Sequence, residues 1–158
     1  MLLIVKVGGK QMKFKDSESI RTEKRFLKRY IKNEACLRRL EEKVAELDNR
    51  MTGLKAVTIS DMPRGGSPIL LEDLLIQKEE LLERINRVKK KSDRYRKEIL
   101  EEIDQLDDER EVEVLESYYI EKKDIVDIAI EIGYHEKTVG NIFHSAIVNL
   151  ALFRQKTD

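Results

Sequence analysis

The chain has 158 residues, with 31 Lys+Arg against 31 Asp+Glu, 39% charged and 6% aromatic residues, seven glycines, two prolines and no tryptophan. That length bounds one domain, or a small domain with an extension, and a mixture rich in Glu, Lys, Arg, Leu and Ile is the composition of long helices and coiled coils. No apolar run approaches the roughly 20 residues that cross a bilayer, so no membrane partner is expected. The single cysteine, Cys36, excludes an intrachain disulfide and points to a reducing cytoplasm, with a small apolar packing role for the side chain.

The zero net charge conceals a polarity. Residues 1–97 carry 25 basic against 15 acidic side chains, a net of +10, and residues 98–158 carry 6 against 16, a net of −10. Such an imbalance favours nucleic acid or a charged protein as partner, or neutralisation of one half by the other.

In chain order, residues 2–7 predict a lone strand with no partner elsewhere. The sequence GGKQM (residues 8–12) can be encoded as a ribosome-binding sequence followed by a start codon, so within an N-terminal leader segment over residues 1–16, residues 1–11 are expected to be translated leader with Met12 as the alternative start. Residues 17–53 predict one long helix, with Ser17 or Ser19 as its cap and Gly53 ending it. Leu37, Leu40, Val44, Leu47, Met51 and Leu54 alternate by threes and fours, a coiled-coil seam that Phe26, Tyr30 and the polar Asn33 continue upstream.

Residues 55–67, with both prolines and two glycines close by, predict a connector. Ser67 is its expected helix cap and Pro68 opens the next helix. The second long helix is expected from Pro68 to Leu106. Its seam is Leu74, Leu81, Ile85, Val88, Tyr95, Ile99 and Leu106, interrupted by Lys78, Ser92 and Glu102. Two such helices on one loop predict an antiparallel hairpin over residues 17–106. A loop centred near Asp61 sets Lys28 beside Arg94, Arg25 beside Lys97 and Lys32 beside Lys90. Arg21, Lys24, Arg25 and Lys28 would thereby join Arg87, Lys89, Lys90, Lys91, Arg94 and Lys97 in one basic patch that phosphate would neutralise.

The acidic run at residues 101–116 ends that helix and starts a shorter one. Helices over residues 125–132 and 136–152 follow, separated by Gly-Tyr-His. Their spacing is specific. Ala129 supplies a small side chain where two helices cross, Gly133 tolerates positive φ in the turn, and Val139 and Ile142 return the last helix to a core with Ile128. The fold class predicted is all-α: a long antiparallel coiled-coil hairpin, then a tri-helical helix-turn-helix domain over residues 107–153 and a tail at 154–158.

With Arg110, Val114, Leu115, Tyr119, Ile120, Ile128, Ala129, Gly133, Tyr134, Val139, Ile142 and Ala146 in place, the C-terminal segment resembles region 4 of sigma-70 factors. With the hairpin before it, residues 20–152 are similar to the sigma-like, ArpU-type regulators of late genes in prophages of Gram-positive bacteria. The resemblance implies a phage-type DNA-binding transcriptional regulator. In such a fold the last helix enters the major groove of double-stranded DNA. His135, Lys137, Thr138, Asn141 and His144 would then face it, with Asn141 suited to adenine and Lys137 to guanine or phosphate. Lys122 and Lys123 would hold phosphates. Where the family usually carries a basic residue, this chain has Gly140. RNA polymerase is a second expected partner, and a homodimer through the hairpin a third.

Two other readings stand beside this one: a small terminase-like DNA-packaging subunit forming a ring, and a coiled-coil interaction module without DNA binding. Catalysis has no residues to carry it, because His135 and His144 are too far apart for a metal pair and Cys36 is remote. No cofactor or metal is expected.

Overall fold

The computed structural model describes the backbone of residues 3–7, 10–14, 17–59 and 68–157, and the side chains of residues 18–54 and 71–156. Five α-helices carry the fold: α1 (Ser17–Ile59), α2 (Pro68–Ile103), α3 (Glu109–Tyr119), α4 (Ile125–Ile132) and α5 (Glu136–Thr157). Ahead of them, β1 (Leu3–Val7) and β2 (Lys10–Phe14) pair antiparallel, with Val5 opposite Met12 and Val7 opposite Lys10. The expected lone strand therefore has a partner.

Several expected boundaries move. Helix α1 continues through Gly53 to Ile59. One internal glycine costs about 1 kcal/mol, which a long helix with a packed face absorbs. The expected cap Ser67 and most of the connector lie outside the described residues, while Pro68 opens α2 as expected. Helix α2 ends at Ile103, three residues early, in a tight turn where Gln105 N–H bonds Glu102 O and Leu106 N–H bonds Ile103 O. Helix α5 runs five residues past Leu152, because Arg154 and Gln155 find partners on other elements.

The chain divides into two compact units, residues 32–95 and residues 1–31 with 96–158. In the first, Leu47 and Met51 of α1 bury against Leu74 of α2, flanked by Leu54, Leu71 and Leu81. The helices run antiparallel, and each polar interruption of the seam has a partner across it. Asn33 donates to Val88 O (2.9 Å), Ser92 to Glu34, and Lys78 to Asp48 (2.5 Å). The expected register holds at Asn33, whereas Glu34 and Asp48 meet residues one turn further along α2. Cations consequently meet carboxylates: Lys89 lies 3.6 Å from Glu41. In the second unit Arg29 lies 2.7 Å from Glu98, where the expected register offers Asp93.

The second unit is built round one core. Ile20 and Leu27 of α1 and Ile99 and Ile103 of α2 join Leu106, Leu115, Tyr119, Ala146, Ile147 and Leu150. Beside it, Val114, Ile128, Ala129 and Val139 form a smaller cluster closing α3, α4 and α5 on one another. Phe143, which the spacing argument missed, bridges the two. Its ring lies 4.8 Å from Tyr118 and 5.8 Å from Tyr119.

Candidate nucleic-acid interface

The corner between α4 and α5 is set by local chemistry. Asp124 caps α4, its carboxylate accepting from Asp127 N–H (2.9 Å), and Gly133 closes it in the left-handed region at φ 71, ψ 29 with its N–H bonded to Ala129 O. A side chain at that φ would be strained by about 1–2 kcal/mol, hence glycine. His135 then caps α5. Its carbonyl takes Thr138 N–H (2.8 Å) and Val139 N–H (3.1 Å), and its Nδ1 accepts from Lys137 N–H (3.2 Å). That role was not legible, since histidine is not among the strongly preferred cap residues. Ile128, Ala129 and Val139 are buried and Ile142 half-buried, as their spacing predicts.

With Val139 turned inward, the opposite side of α5 presents His135, Lys137, Thr138, Asn141 and His144, all exposed. Gly140 lies between them with open space where a Cβ would stand. So a side chain larger than hydrogen can begin there without a clash.

The two lysines expected to hold phosphate differ. Lys122, the one non-glycine residue at positive φ (62) among those described, lies 5.8 Å from the Tyr30 ring on α1. Lys123 is enclosed by carboxylates, Glu121 at 2.7 Å and Glu131 at 2.5 Å, and the hydrogen bonds it donates to both push its pKa up. Its charge is already neutralised within the protein. Arg110 is similarly engaged, in bonds of 2.9 and 3.2 Å to Asp108, and that pairing holds the Asp108 carboxyl below the usual range.

The expected basic patch is divided between the units. Arg21, Arg25 and Lys28 are exposed and Lys24 half-buried in one, with Lys97 there 3.8 Å from Glu101. Arg87, Lys89, Lys90, Lys91 and Arg94 are exposed in the other. There Arg87 lies 3.8 Å from Glu83, while Lys91 and Arg94 stack over Tyr95.

Sequence reasoning also missed a polar network that fixes α5 against α3. The Glu111 carboxylate is buried and accepts from Ser145 Oγ (2.6 Å) and Asn149 Nδ2 (2.9 and 3.1 Å). Glu111, Ser145 and Asn149 come together only once the helices pack, so no spacing along the chain marks them. Among the described residues no group of His, Cys, Asp or Glu is placed to hold a metal, and no helix is long and apolar enough to cross a membrane. Comparison with protein-family models, curated proteins and solved structures finds no match to this chain.

Proposed function

We propose that the chain is a DNA-binding transcriptional regulator of the sigma-region-4-like kind, with α4 and α5 as its helix-turn-helix and α5 as the helix that enters the major groove. One observation carries the reading. Gly133 turns α5 so that Val139 is buried while Lys137, Thr138, Asn141 and His144 all point to solvent. Asn141 offers an amide for adenine and Lys137 a cation for guanine or phosphate. Because phosphate neutralisation dominates affinity for duplex DNA, and Lys123 is already paired, Arg21, Arg25 and Lys28 are the phosphate contacts this reading assigns to the same unit.

Selection of duplexes from a random pool by the full chain, at low salt, tests it. We expect one enriched motif, and Asn141→Ala to relax the preference at one base position at a cost of about 1–3 kcal/mol. No enrichment, or enrichment unaffected by Asn141→Ala and Lys137→Ala together, overturns the proposal.

A second reading, a protein-interaction module that engages RNA polymerase or another protein without DNA, is favoured by α4. In helix-turn-helix docking the first helix crosses the DNA backbone. Here that helix exposes Asp127, Glu131 and Ile130, the last 76% accessible. A carboxylate face of that kind repels phosphate, and an isoleucine so exposed gains from burial against protein.

A further inference from the structure

The outer side of α3 is acidic in a regular way. Glu109, Glu113 and Glu116 recur at i, i+4 and i+7 and line a groove of about 310 Å³ floored by Leu106 and Val112. Two further glutamates of the same groove, Glu121 and Glu131, already grip an ammonium, that of Lys123. Two of the groove's carboxylates are thus spent on a cation of the chain itself, and Glu109, Glu113 and Glu116 are left over. None of Glu109, Glu113 and Glu116 has an ion-pair partner among the described residues.

On α1 the same spacing recurs with the opposite sign. Arg21, Arg25 and Lys28 stand at i, i+4 and i+7, exposed, and likewise have no ion-pair partner among the described residues. Each stripe spans about 10 Å at 1.5 Å per residue. Both belong to one compact unit, each on its own helix, and they do not pair with each other within the chain.

We infer that the acidic groove along α3 is a docking surface for a second copy of this chain, whose Arg21, Arg25 and Lys28 lie along Glu109, Glu113 and Glu116. The occupant is chosen by the match of spacing and sign. A duplex would take the cationic stripe but is repelled by the carboxylates, whereas a second copy satisfies both. Two such contacts about a two-fold axis close a dimer, and one alone builds open chains. Exposed ion pairs are individually weak and screened by salt, so the association is salt-sensitive. It does not depend on the DNA reading, and the two use Arg21, Arg25 and Lys28 in competition.

Sedimentation velocity of the full chain without DNA tests it, at about 0.01 M and about 1 M salt, where the screening length falls from about 30 to about 3 Å. We expect assemblies at low salt and monomers at high salt. Glu113→Lys with Glu116→Lys, and separately Arg25→Glu with Lys28→Glu, each abolish low-salt association. Mixing the two variants restores it, since each reversed stripe then meets its opposite. Circular dichroism identifies any variant that fails to fold, in which case Glu113→Gln with Glu116→Gln replaces the first pair and weakens association. A mass indifferent to salt, or a mixture that stays monomeric, overturns the inference. Loss of DNA selection in Asn141→Ala leaves it untouched.

Discussion

Glu23 is fully buried, and its counter-charge is Arg154, 2.9 Å away, which reaches Glu102 (3.2 Å) as well. Arg154 also lies over Phe26 at 4.3 Å, so the end of α5 is fastened to both long helices. Burial, aided by the nearby Glu102 charge, pushes the Glu23 carboxyl above its ordinary value of 4.5, against the pull of Arg154. The folded protein thus holds this proton more tightly than the unfolded chain. Stability from this site grows as pH falls through the raised value, is complete below about 4.5 and is lost as pH rises again. Asp108 runs the other way: its lowered carboxyl contributes above the ordinary value of 3.8 and is lost as pH falls further. Urea unfolding of Glu23→Gln, followed from pH 7 to about 4.5, should lack the rise in stability on acidification expected of the parent protein at this site. Equal slopes in the two proteins would show that Glu23 is not the responsible group.

At the scale of elements, α5 contains the most informative weakness. Gly140 interrupts it without any close contact that requires glycine. Gly140→Ala should raise the unfolding free energy by about 1 kcal/mol, read in denaturant. Gly140→Arg should in addition tighten DNA binding and steepen its salt dependence by about one counter-ion; an unchanged slope would place that position away from phosphate. The helices were legible where burial repeats along one face. Leu40, Leu47, Ile85 and Ile99 are buried at their threes-and-fours spacing, and Gly133 adopts the positive φ that a tight turn demands. What spacing does not encode is which residue answers which. The one-turn displacement at Asp48 and Lys78 follows from ion pairing across helices, and Glu111 meets Ser145 and Asn149 only through packing. The exposed face of α5 was readable as exposed, since it is the complement of a buried stripe. The carboxylate cage around Lys123 was not, because Glu131 reaches it from the next helix.

For the whole molecule, the +10 and −10 halves follow from counting alone, but how they divide in space does not. The unit containing α3, α4 and α5 also takes residues 17–31 and 96–103, and with them Ile20, Leu27, Ile99 and Ile103. Residues 107–158 on their own would leave Leu115, Tyr119, Ile147 and Leu150 without those partners. That fragment should show little cooperative unfolding by circular dichroism, whereas the full chain unfolds with a clear transition. A fragment as cooperative as the parent would mean that the smaller cluster around Ile128 and Val139 suffices. The division also bears on how the protein is made. A ribosome releases residues 32–95 as a contiguous stretch that can complete its own core at once. The opening turns of α1 keep Ile20 and Leu27 uncovered until residues 99–150 have followed them out of the ribosome, and slow elongation over α3, α4 and α5 prolongs that wait.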